Sequence, residues 1–135
     1  MGSILSSTKI PPNKLEKSRV TEISQNYDWK VFRNSESIEA SHRLSVVVFC
    51  ASWCAPSRGL EPELDNLASE YTHISFIKID VDTLKSLANH FKVEAMPTLV
   101  VLYQGKEVKR IVGAKIDVIK DTIKKVVEDY PSVTI

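Results

Sequence analysis

From residue 27 onward, apolar and polar residues fall into blocks, and the period of each block predicts its element. Trp29–Phe32 has the length and composition of a short strand, and Ser35–Arg43 reads as a short helix with Ser35 at its cap. Val46–Ala51 is apolar at every position, the pattern of a central strand covered on both faces. From Pro56 to Tyr71 the residues Leu60, Leu64, Leu67, Ala68 and Tyr71 recur at helical spacing. Pro62 lies inside that stretch, and its missing N–H predicts a kink. Ile74–Ile79 predicts a further strand and Leu84–Phe91 a short helix. Thr98–Tyr103 and Glu107–Val112 flank the turn signal Gln104-Gly105-Lys106, which predicts an antiparallel hairpin. Asp117–Asp129 closes the pattern as an amphipathic helix bearing Val118, Ile119, Thr122, Ile123, Val126 and Val127. The order βαβαβαββα predicts an α/β fold in which a mixed central sheet is flanked by helices in three layers.

Residues 1–26 carry no such period. They are Ser-rich, then contain Ile10-Pro11-Pro12-Asn13, then a run of mixed charge. This segment is expected to be a flexible N-terminal extension with at most a weak helical turn after Pro12, leaving one domain over residues 27–135.

Composition narrows the function by exclusion. The chain has 135 residues and a formal net charge of +1, with nothing that points to nucleic acid or an acidic substrate. Only the first 26 residues are biased, with four Lys or Arg against two Glu. Two cysteines four residues apart do not make a disulfide framework. The apolar runs are too short to span a bilayer, and Ile4-Leu5 is not the core of a signal peptide. These features predict a reducing, cytoplasmic setting. Met1-Gly2-Ser3-Ile4-Leu5-Ser6 fits the myristoylation pattern with Gly2 as the acceptor, which would add weak, reversible membrane association. His42, His73 and His90 are far apart and lack metal-ligand spacing, so no metal is expected.

The chemistry is concentrated in Trp53-Cys54-Ala55-Pro56-Ser57, where the apolar strand gives way to the helical pattern. A cysteine at a helix start faces unpaired backbone N–H groups that favour negative charge, and the thiolate is the form that attacks disulfides. Cys50, at the end of the buried strand, reads as a small, inert apolar residue. Serving as a second reactive thiol would require its sulfur to reach Cys54.

This segment resembles the redox loop of the thioredoxin family, usually W-C-x-P-C. Three further stretches match in order and spacing. Met96-Pro97-Thr98 lies 43 residues after Cys54, and the resemblance implies a cis peptide at Pro97 facing the nucleophile. It also implies that the backbone of Met96 is free to bond an extended substrate segment. Phe76–Asp82 is similar to the family's third strand and its exit; Asp80 and Asp82 are expected to be loop and cap residues. Val112-Gly113-Ala114 is similar to the small-residue loop beside the family's substrate groove. The resemblance covers about residues 27–130, is nearest in style to cytosolic plant h-type proteins, and implies the thioredoxin fold. It also implies a substrate-binding surface of Trp53, Ala55, Pro56, Met96, Pro97, Gly113 and Ala114 around Cys54.

Two positions depart from the family pattern. Ser57 stands where the resolving cysteine belongs. A hydroxyl cannot complete the internal release step, although it can donate a hydrogen bond to the Cys54 thiolate. Val48, six residues before Cys54, stands where the family has a buried aspartate associated with proton transfer to that second cysteine. A buried acid is costly without a role. Losing acid and thiol together favours a natural single-thiol protein over a Cys-to-Ser trap. The expected activity is thiol–disulfide exchange through Cys54 with Ser57 in support, of isomerase or deglutathionylation type. Glutathione or a client thiol acts as co-substrate, and no bound cofactor is required. The expected partners are client proteins bearing disulfides or glutathionylated cysteines, and the state a monomer or, when oxidised, a Cys54-linked dimer. The rival of another class is a binding module that uses the same groove without catalysis.

Overall fold

A computed structural model describes residues 19–23 and 44–130. The predicted strand Trp29–Phe32, the helix Ser35–Arg43, the turn after Pro12 and Gly2 lie outside those residues.

Five strands form one sheet: β1 (Val20–Ile23), β2 (Leu44–Cys50), β3 (Ser75–Asp80), β4 (Thr98–Tyr103) and β5 (Lys106–Val112). Among the described residues three helices accompany them: α1 (Ala55–Glu70), α2 (Lys85–His90) and α3 (Ile116–Asp129). The spatial order is β1-β3-β2-β4-β5. β3 runs parallel to both β1 and β2, while β4 is antiparallel to β2 and to β5, so the sheet is mixed.

β1 corrects the predicted domain boundary. Val20–Ile23 lies inside the segment read as an extension, yet it forms an edge strand in register with Phe76–Ile79. Its signal was weak because only its two end residues are apolar and half-buried, without alternation. Val20 packs on one face of the sheet and Ile23 on the other.

β2 is the central strand, and all seven of its residues are buried. It starts two residues before the predicted run and ends at Cys50, leaving Ala51 outside. Leu44 and Ser45 are drawn in by pairing with Tyr103 and Leu102. The strand's two faces serve two cores, as a period of two requires. Leu44, Val46 and Val48 join Leu60, Leu64 and Leu67 of α1 and Ile119, Ile123 and Val126 of α3. Val47 and Phe49 join Leu84, Leu87 and Phe91 at α2 on the opposite side. Each such side chain removed from water contributes about 1.5–3 kcal/mol. Both layers therefore press on β2, and its C-terminal end is a fixed base for the loop that carries Cys54.

The other predicted elements appear with shifts of one residue at most of their ends. Pro62 sits exposed inside α1, which runs unbroken from Ala55 to Glu70. The hairpin turns through Gln104 (φ 54°) and Gly105 (φ 81°), a left-handed pair that glycine accommodates without a Cβ clash. Its register slips between Val101 and Leu102, whose partners are Lys109 and Glu107. That slip lets Lys106 join the strand.

Candidate active site

The site forms where β2 ends and α1 begins. Cys54 is the cap residue of α1, with extended backbone (φ −98°, ψ 113°). Its N–H donates to Ala51 O at 3.1 Å, and its own carbonyl accepts the first helical bond from Arg58 N–H at 3.1 Å. The loop is thereby closed from both sides, and Cys54 caps the helix through its backbone, with no side-chain hydrogen bond to the first-turn amides. Pro56 lies in that turn, where its missing N–H costs nothing. The Cys54 thiol is half-buried and donates to Met96 O at 3.6 Å.

Ser57 is 3% exposed, and its Oγ has no hydrogen-bond partner among the described residues. The expected hydrogen bond from Ser57 to Cys54 is therefore not made, and the Cys54 thiol is turned to Met96 O instead.

The Met96–Pro97 bond is cis. Pro97 is buried, and its carbonyl accepts from Gly113 N–H at 2.9 Å. That bond ties the loop after β5 to the start of β4, bringing Gly113 and Ala114 beside Met96 and Pro97. Gly113 has φ 112°, a backbone region where a side chain would be strained. Thr98 Oγ–H donates to Ala95 O at 2.6 Å and fixes the approach to the proline. Ala55 and Pro56 are exposed on the Cys54 side of the loop.

Trp53 is 64% exposed, and its indole N–H donates to Asp82 Oδ2 at 2.7 Å. Asp82 N–H in turn donates to Asp80 Oδ1 at 2.8 Å, and Thr83 N–H reaches the same oxygen at 3.4 Å. Asp80 is the last residue of β3 rather than a loop residue, and its carboxylate organises the turn that leaves the strand. The role of Asp82 as the anchor of the indole was missed, because that contact spans 29 residues. An exposed tryptophan immediately before a reactive cysteine was the available signal that some polar group must hold it.

Cys50 has a different setting. It is 7% exposed, its thiol donates to Ile79 O at 3.5 Å, and burial pushes the thiol up to about 11. Val48 is 1% exposed and packed in the core below α1. Its lateral neighbour Lys78 pairs with Glu61 of α1 at 2.7 Å, so a cation at this level meets its carboxylate from the helix. Among the described residues no group of three His, Cys, Asp or Glu could hold a metal ion, and no helix is long and apolar enough to cross a membrane.

The comparisons with known proteins agree with this geometry. The thioredoxin family profile matches residues 23–125. The chain belongs to the thioredoxin family. It is 42% identical over 110 residues to thioredoxin H2 of Arabidopsis thaliana, covering 82% of this chain and 81% of that protein. It is 39% identical over 120 residues to thioredoxin H2-2 of Oryza sativa subsp. japonica, covering 87% and 89%. Among solved structures, the thioredoxin NaTrxh of Nicotiana alata superposes with a TM-score of 0.73 at 43% identity, covering 82% of this chain and 94% of that one. The fold is thus the three-layer thioredoxin fold, with the h-type plant thioredoxins among its homologues. Thioredoxins are thiol–disulfide oxidoreductases that act on disulfide-bearing client proteins, and Cys54 lies within the matched region.

Proposed function

We propose that this thioredoxin exchanges disulfides through the single thiol of Cys54 and relies on an external thiol for release. The observation that carries the reading is the buried, unpartnered Ser57 hydroxyl in the first turn of α1, at the resolving position. When Cys54 ionises it can no longer donate to Met96 O, and the Ser57 hydroxyl is free to donate to the thiolate. The thiolate attacks one sulfur of a client disulfide, or the client sulfur's bond to glutathione. A new S–S bond forms on Cys54, and the other sulfur leaves as a thiolate. Ser57 cannot attack that new bond. Cys50 is a poor substitute, since its thiol is buried, bonded to Ile79 and held in the protonated form. Glutathione or a neighbouring client thiol then attacks Cys54's mixed disulfide and regenerates the enzyme.

Val48 supports the same reading. The residue is 1% exposed and belongs to the same core cluster as Leu60 and Leu64, a setting that suits an apolar side chain. The natural setting in this reading is the cytoplasm, with glutathione as the electron source. Acylation of Gly2 would add a weak hold on membranes.

The test is turnover. A glutathionylated client protein with excess glutathione should be cleared in many cycles per enzyme, and quenching should trap glutathione on Cys54. Reduction of a protein disulfide at the rate of a dithiol thioredoxin, by a dithiol-regenerating system, would defeat the reading.

A further inference from the structure

Between Val93 and β4 the chain crosses the site as a strap that its own backbone hardly ties down. Val93 N–H donates to Ala88 O at 3.0 Å; beyond it, Glu94, Ala95 and Met96 make no backbone–backbone hydrogen bond among the described residues. Pro97 has no N–H with which to add one. Glu94 and Ala95 are exposed and Met96 is half-buried. Three consecutive carbonyls of this stretch nevertheless accept from three different groups. Ala95 O takes the Thr98 hydroxyl at 2.6 Å, Met96 O the Cys54 thiol at 3.6 Å, and Pro97 O the Gly113 amide at 2.9 Å. The middle bond is lost whenever Cys54 carries a mixed disulfide, because the sulfur then has no proton to donate. The Thr98 and Gly113 bonds are the ones that last through the reaction, and the Thr98 bond is the one on the open side of Met96. Thr98 is a firm anchor: it is 1% exposed and lies at the first position of β4, between Phe49 of β2 and Val112 of β5. A hydroxyl buried that deeply is costly without a partner, and this one bonds outward, to an exposed strap.

We infer that Thr98 is a positioning residue for exchange with protein disulfides. Its hydroxyl holds the strap so that Met96 N–H and Met96 O stay beside Cys54, where the backbone of an extended client segment takes both. Thr98 touches neither client nor sulfur, and it acts through Ala95 and Met96. The step concerned is the first one: the Cys54 sulfur bonds one client sulfur, the client S–S bond breaks, and the electron pair leaves on the other client sulfur. The inference does not depend on how the mixed disulfide is later released.

The test follows the first turnover of the reduced full chain on two substrates: a protein disulfide, and the disulfide of 2-mercaptoethanol, which has no peptide groups. Thr98→Val keeps the side chain's shape and removes the hydroxyl, whereas Thr98→Ser keeps the hydroxyl and removes the methyl. Thr98→Val should lower the second-order rate constant on the protein about 3–10-fold, through the concentration for half-saturation rather than the limiting rate. The small disulfide should lose less, so the preference for the protein falls, and Thr98→Ser should recover most of it. A side chain needed only for packing would give the reverse order, with Thr98→Ser the poorer variant. That order, equal losses on both substrates, or no loss in Thr98→Val would overturn the inference. If Thr98→Val does not fold by circular dichroism, Thr98→Ala against Thr98→Ser reads the same hydroxyl: the preference should survive in Thr98→Ser and fall in Thr98→Ala, and its survival in both would overturn the inference.

Discussion

Two thiols four residues apart have opposite settings. Cys50 ends a strand buried on both faces, donates a hydrogen bond to the Ile79 carbonyl, and is held protonated by burial. Cys54 lies just beyond the sheet, half-buried, at the start of a helix. The intervening Ala51-Ser52-Trp53 turn carries the chain from one environment to the other. The difference teaches that the setting of a thiol comes from its position at the strand end or at the strand–helix junction rather than from the residue type. Stiffness in the strand is what allows a thiol in the loop to be half-exposed and still fixed.

The largest effect should separate the two directly. Cys54→Ser should abolish exchange by at least about 10³-fold, whereas Cys50→Ala should stay within about twofold in the same turnover assay. A large loss on Cys50→Ala, with the fold intact by circular dichroism, would make it a hidden resolving thiol.

Alkylation sharpens the comparison without mutation. With its thiol pushed up to about 11, Cys50 at pH 7 should carry about a hundredfold less thiolate than an ordinary cysteine. Burial slows it further. Mass mapping of a short iodoacetamide pulse should find the label on Cys54, and preferential labelling of Cys50 would reverse the assignment.

Ser57→Cys should rebuild an internal exit and raise reduction of a protein disulfide by about tenfold or more, because intramolecular attack replaces encounter with a second molecule. Adding Val48→Asp should raise it further at neutral pH by supplying a proton acceptor. That acid would also destabilise the fold by about 1–3 kcal/mol even when neutral, measurable by urea titration. No gain from Ser57→Cys would mean that the loop cannot bring a second sulfur to Cys54.

A smaller effect concerns pH and stability. The unfolded Cys50 thiol loses its proton near 9, while the folded one keeps it to about 11. The native state binds that proton more tightly, so this contribution is complete below pH 9 and is lost as pH rises through 11. Urea midpoints measured from pH 8 to 11 should fall in the wild type with a component that is missing in Cys50→Ala. Parallel curves would exclude it.

The smallest effect is expected at Glu61→Gln. The carboxylate that pairs with Lys78 is half-exposed, so its loss should cost less than about 1 kcal/mol. A larger cost would mean that the pair helps to hold α1 over the core.

Much of this arrangement was legible in the residues because local rules dictate it. A fully apolar run demanded two covering layers, and β2 has them. The loop chemistry was legible because helix-start amides, a cysteine and a proline act over four consecutive residues. What escaped depends on distant partners. Val20–Ile23 has no strand pattern of its own and is ordered by pairing with β3. Leu44 and Ser45 extend β2 only because β4 lies alongside. Trp53 and Asp82 meet only once two strand ends lie side by side. The Ser57–Cys54 hydrogen bond expected from proximity is not made, and the Cys54 thiol donates to Met96 O, 42 residues away.

The walls around Cys54 are fastened to the sheet on both sides. Trp53 is held through Asp82 to the exit of β3, and Gly113 is held to Pro97 at the exit of β5. Three strand spacings separate those exits, roughly 14 Å between backbones. The spacing of the two walls is therefore set by the sheet rather than by the loops, so in the proposed exchange the adjustment needed to bring a disulfide to Cys54 falls to the client.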